Sequence, residues 1–73
     1  MMTNILKAKW SQIKGKAKVQ WSKLTDDDLL RIEGEKDKLI GKIQERYSLT
    51  KDQATADVDK FIVRHTQDEE DNE

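Results

Sequence analysis

From Leu6 onward, apolar residues return every three or four positions: Leu6, Trp10, Ile13, Ala17, Trp21 and Leu24. At about 100° per residue they fall on one stripe of a helix. The spacing predicts a helix over 4–23, with Thr3 or Asn4 accepting an orphan backbone N–H at its start. Val19 lies roughly 150° from the centre of the stripe and is left out of it. Gly15 sits on the opposite side, where a glycine costs about 1 kcal/mol relative to alanine. It marks either a kink or a place where another backbone comes close. A break near Gly15 is therefore the alternative to one continuous helix.

The next helix is announced by its cap. Thr25 followed three residues later by Asp28 matches a capping box. Asp26, Asp27 and Asp28 also oppose the positive end of the helix dipole. Leu29, Leu30 and Ile32 follow, and Gly34 tolerates the left-handed conformation that ends many helices. These features predict a short helix over 26–33. A third helix, 35–48, puts Leu39, Ile40, Ile43 and Tyr47 on one face. Glu35–Lys38 and Lys42–Glu45 are favourable pairs at i+3, whereas Lys38–Lys42 and Lys42–Arg46 oppose them. A fourth helix, 51–66, opens on a second capping box, Thr50 with Gln53, and turns Ala54, Val58, Phe61, Ile62 and His65 to its apolar side.

No segment alternates with period two, so no strand is predicted. The chain has no proline to interrupt a helix. The links are too short for anything but close packing of neighbours. The expected fold is all-α, four short helices arranged as two crossed helical hairpins in a small bundle. Its expected core is Leu6, Trp10, Ile13, Ala17, Trp21, Leu24, Leu29, Ile32, Leu39, Ile43, Val58 and Phe61. One helical domain would occupy 1–67. Residues 68–73, DEEDNE, form an acidic tail without apolar residues and are expected to be disordered.

Length limits that core. A chain of 73 residues buries only roughly 60–65% of the surface its unfolded form exposes. A stability of about 3–5 kcal/mol is expected unless a partner adds to it. At 40% charged and 34% hydrophobic the composition approaches that of disordered chains, but the net charge of −1 removes the self-repulsion typical of them. The small net charge hides an uneven distribution. Residues 1–24 hold six lysines and no acid, whereas residues 48–73 hold three basic and eight acidic residues. The head is basic and the tail acidic. No cysteine is present, which fits a reducing compartment. No apolar run approaches the ~20 residues of a membrane span. The lysines around Trp10 leave no room for the apolar stretch of about 7–15 residues in a signal peptide. A cytoplasmic location is expected.

The first helix carries the only functional-looking pattern. KAKWSQIK is followed eleven residues later by KVQWSKLT. Eleven residues are close to three turns, so Trp10 and Trp21 lie ~20° apart around a helix and ~16 Å apart along it. Two readings are open: a pair of stacking platforms among lysines, as in single-strand binders, or two core rings. Lys9, Lys16 and Lys23 recur every seven residues on one flank, and Lys7, Lys14 and Lys18 line the other. These six are the candidate anion-contacting residues. The readings open for them are a weak, sequence-independent nucleic-acid surface, peripheral attachment to an anionic membrane, or a solvated face whose stems cover the tryptophans.

Other chemistry finds little support. Asp26–Asp28 lacks the alternating ligands and central glycine of a calcium loop, so capping is its expected role. His65 is the only histidine, and with no cysteine there is no metal-ligand set. Its expected role is partial packing, with a favourable dipole contact when protonated. Ser11, Ser22 and Ser48 have no base suggested beside them, and the three glycines are isolated. No enzyme, cofactor or small-molecule substrate is expected.

Two blocks carry a resemblance: W-x-Q-I-K-G-K-x-K-x-x-W-x-K-L-T-D-D-D at Trp10–Asp28 with I-E-G at Ile32–Gly34, then L-I-G-K-I-Q-E-R-Y at Leu39–Tyr47. Their order and spacing resemble the CsbD-like small stress-response proteins of bacteria over about residues 8 to 62. Ile13 stands where family members commonly have Phe, a change that keeps a core residue. The resemblance implies a small all-helical cytoplasmic domain produced in the general stress response, with a protective or binding role. It brings no catalytic residues.

Overall fold

The computed structural model describes residues 5–66 and contains four helices: α1 (Ile5–Gln20), α2 (Asp26–Ile32), α3 (Lys36–Tyr47) and α4 (Lys51–Thr66). The proposed caps Thr3 and Asn4 and the tail 68–73 lie outside the described residues. Helix α1 runs unbroken through Gly15, where a β-carbon would meet nothing within 4 Å. Neither a kink nor a close approach is built there.

Helix α1 ends at Gln20, three residues before the expected end at 23. The reason lies in the next element. Thr25 must be extended, at φ −89° and ψ 167°, to cap α2. The chain therefore leaves the helix and turns within residues 21–25. Trp21 still donates its backbone N–H to the Ala17 carbonyl at 2.8 Å, and the Leu24 N–H donates to the Trp21 carbonyl at 3.0 Å. This turn delivers both Trp21 and Leu24 to the core without helical geometry.

Both reciprocal caps form. The Thr25 hydroxyl accepts from the Asp28 N–H at 3.0 Å, and the Asp28 carboxylate accepts from the Thr25 N–H at 3.0 Å. Thr50 and Gln53 do the same at α4, at 3.1 and 3.0 Å. At the end of α2 the left-handed residue is Glu33 (φ 53°), immediately followed by Gly34 (φ 76°). Gly34 packs against α1: a β-carbon there would lie 2.6 Å from Lys7 Cα and 2.8 Å from Trp10 Cβ. Its hydrogen is what lets the two helices meet.

Each helix reverses the direction of the one before. Lys18 meets Asp26, whereas Gly34 meets Lys7, so α1 and α2 form one hairpin. Lys36 at the start of α3 meets Asp59 late in α4, and these helices form the second. Helix α2 packs on α3, and α4 on α1, where the Trp21 and Phe61 rings lie 4.9 Å apart. All twelve expected core residues are buried, joined by Ile40 and Ala54. Val19 is 83% exposed, as its place off the stripe requires, and Leu30 also faces outward. Of the two i+3 pairs expected on α3, Lys42–Glu45 forms at 3.6 Å. Glu35–Lys38 is not among the ion pairs of the described residues. Glu35 instead takes the extended N-cap position of α3, without a side-chain cap bond.

Candidate functional site

Both tryptophans belong to the core. Trp10 is 7% and Trp21 4% exposed. The Trp10 indole N–H donates to the Leu29 carbonyl at 3.1 Å, which gives its one polar atom a partner and ties α1 to α2. No ring face remains for a base, so the stacking reading is excluded in this fold.

The six lysines are dealt out differently from the helical wheel. Lys7, Lys14 and Lys16 are exposed on α1. Lys18 reaches Asp26 at 2.9 Å, a surface pair of small energetic value. Lys23 sits beyond the end of α1 rather than on its flank. Its ammonium lies 5.1 Å from the Tyr47 ring centre, and its backbone N–H donates to the Tyr47 hydroxyl at 3.0 Å. Lys9 is half-buried. What the fold leaves exposed on α1 is Lys7 and Lys14 on the flank toward α2 and Lys16 on the flank toward α4, with Gly15 and Val19 on the outer face between them.

Two shallow grooves border that surface. One lies between α1 and α2, lined by Lys14, Gly15, Lys18, Asp26, Leu29 and Leu30. The other lies between α1 and α4, lined by Gln12, Lys16, Val19, Gln20, Arg64 and His65, with Gly15 at its edge. His65 is half-buried and its ring lies 4.4 Å from that of Phe61. The apolar side of α4 thus uses His65 as a packing ring.

The sequence reading missed a polar cluster between α2 and α3. Asp28 is only 2% exposed. Arg46 donates to it through Nε at 2.9 Å and Nη2 at 3.0 Å, a bidentate grip. Lys42 Nζ stands 3.4 Å away. The Arg46 hydrogen bonds, with the Thr25 N–H and the charges of Arg46 and Lys42, hold the Asp28 carboxyl far below the usual carboxylate range despite its burial. One acid thus caps its own helix and pins it to the next. The signal available beforehand was the Arg46–Lys42 pair on one face of α3, legible only as like-charge repulsion without its acid.

A group held ionised below its unfolded pKa stabilises the fold above that pKa and loses the contribution as pH falls toward the folded value. Asp28→Asn is therefore expected to cost about 2 kcal/mol at pH 7, discounted because Arg46 keeps part of its side chain in water. The difference should begin to narrow below about pH 4 and keep narrowing as pH falls toward the much lower folded-state value. Urea melts at several pH values measure this. A constant difference down to pH 2 would show that the charge of Asp28 is not the stabilising feature.

Every buried side-chain nitrogen or oxygen among the described residues has a hydrogen-bond partner. Among the same residues no cluster of three acidic, histidine or cysteine side chains gathers to hold a metal, and no helix is long and apolar enough to cross a membrane.

The CsbD-like family model matches residues 4–56. The UPF0337 protein YjbJ of Escherichia coli K12 is 63% identical over 56 residues, covering 77% of this chain and 81% of that protein. YjbJ of Salmonella typhimurium is 63% identical over 56 residues, 77% of this chain and 80% of its own. A UPF0337 protein of Bordetella pertussis is 49% identical over 65 residues, 89% of this chain and 98% of its own. The matched span holds α1, α2, α3 and the start of α4, including both tryptophans, Gly34 and the Asp28–Arg46 pair, and the chain belongs to the CsbD-like family.

Proposed function

We propose that this chain is a non-enzymatic, cytoplasmic stress-response protein that acts through its surface, in a protective or binding role. The observation that supports this is where the polar chemistry goes. Asp28, the one buried charge among the described residues, is saturated by Arg46, Lys42 and the Thr25 N–H. The aromatic rings are taken up by packing. The open resource is a densely charged exterior. Deleting the gene and comparing survival after osmotic, desiccation and stationary-phase stress tests the role. Survival equal to the parent in all three, with the protein confirmed present in the parent under each stress, would remove it.

One observation favours a second reading, a weak polyanion surface on α1. Lys7, Lys14 and Lys16 are exposed and stand outside the ion pairs of the described residues. With the tryptophans buried, contact would be to phosphates alone. Neutralising three phosphates gives a log K against log salt slope of about −3. Amide titration with single- and double-stranded DNA checks this. Shifts on residues 7–18 that are equal for both DNAs and vanish with salt are the expected result. No shifts even at low salt would refute it. Co-sedimentation with anionic but not neutral vesicles, in the absence of such shifts, would point to a membrane surface instead.

A further inference from the structure

One turn of the α2–α3 contact is closed by charge and the next is not. On α3, Lys38, Lys42 and Arg46 follow one another at i+4, an arrangement that repels itself. Asp28 of α2 answers the last two: Arg46 holds it at 2.9 and 3.0 Å, and Lys42 stands at 3.4 Å. One turn further along α2 comes Arg31, a cation where Lys38 would need an acid. Lys38 is exposed and stands outside the ion pairs of the described residues. Here the two helices border a groove of about 350 Å³, lined by Arg31, Ile32, Lys38, Gly41, Lys42 and Glu45. That volume is at the small end of ligand pockets.

Gly41 keeps the groove open. A glycine inside a helix weakens it relative to alanine, and the packing does not ask for one: a β-carbon at Gly41 would meet nothing within 4 Å. Ile32 is buried and supplies a fixed apolar wall. The other two cations are loosely engaged. Arg31 shares an exposed pair with Asp27, of small energetic value. Lys42 lies 3.6 Å from Glu45, and its second acid, Asp28, is already held by Arg46.

We propose that this groove binds a small organic phosphate monoester, with the phosphate between Lys38 and Arg31 and the organic body over Gly41. Two cations on opposite walls call for a dianion, and a phosphate monoester carries about −1.5 to −2 charges at pH 7. A carboxylate would leave one cation unmatched. Glu45 in the lining, and Asp27 beside Arg31, oppose a long polyanion running past. The site is separate from the exposed lysines of α1, so this proposal and the α1 reading can fail separately.

The test is an amide titration of the full chain with phenyl phosphate at constant ionic strength. Saturable shifts at residues 31–32 and 38–42 are expected, with a Kd on the order of a few millimolar for so small a ligand. Inorganic phosphate should move the same amides more weakly; equal affinity would overturn the assignment of an organic body. Lys38→Gln, at an exposed position, should weaken binding about fivefold, and Glu45→Gln should tighten it about threefold. Gly41→Leu should abolish the shifts without lowering Tm, because leucine favours the helix and fills the groove. Shifts that are absent, that spread equally over residues 7–18, or that ignore these three substitutions overturn the proposal. So does pelleting with phosphatidate vesicles without any response to phenyl phosphate, which would assign the cations to a lipid surface.

Discussion

Trp21→Ala is expected to remove most of the stability of this protein. Replacing a buried tryptophan by alanine costs about 3–5 kcal/mol, from lost transfer energy and the cavity left behind. A domain of this size has only about 3–5 kcal/mol to lose. Trp21 is buried in the turn between α1 and α2 and packs tilted on Phe61 at 4.9 Å. It therefore joins the first hairpin to α4 of the second. Removing the ring uncouples the hairpins as well as opening a void. The measurement is a urea or thermal melt followed by far-ultraviolet circular dichroism. A broad, non-cooperative transition, or a midpoint at the lower limit of the scan, is expected. A cooperative melt near the parent's would mean that Trp21 is not a core residue.

Gly34→Ala is expected to cost about 3 kcal/mol and lower Tm by roughly 12–24 °C. Two effects combine. The backbone there has φ 76°, a left-handed conformation that L side chains resist. The added carbon would also lie 2.6 Å from Lys7 Cα, and backbone cannot swing aside as a side-chain tip can. Gly15→Ala is the matched control. Gly15 is helical and exposed with open space around it, so alanine there should raise stability by about 1 kcal/mol. Opposite signs at the two glycines are the expected result. Similar small effects at both would mean that α1 and α2 do not approach as closely as Gly34 implies.

These predictions separate what was legible from what was not. The stripe Leu6, Trp10, Ile13, Ala17 read correctly because helical period is a local property, repeated within two turns. The Thr25 and Thr50 caps read correctly because a capping box closes within four residues. Ile40 and Ala54 were placed on apolar faces but not in the core. Their burial depends on which helix covers the edge of the face, a question of packing. Gly15 and Gly34 illustrate the same limit. Each is a glycine near helical pattern, and only the neighbouring element distinguishes an idle position from a required one. The candidate lysines behaved likewise. A helical wheel put Lys23 on a flank that the chain leaves after Gln20, and nothing local pointed to the Tyr47 ring that receives it.

By itself, then, the sequence determined four helices, their approximate limits, the apolar residues they bury and the separation of basic head from acidic end. All of these follow from interactions between residues a few positions apart. The tertiary structure alone decided that Asp28 would answer to Arg46, eighteen residues away, that Gly34 would lie against Lys7, and that α4 would end beside Lys16. Those contacts join distant parts of the chain. Their geometry exists only once the helices have packed, because that packing brings charges and backbones together that sequence order keeps apart.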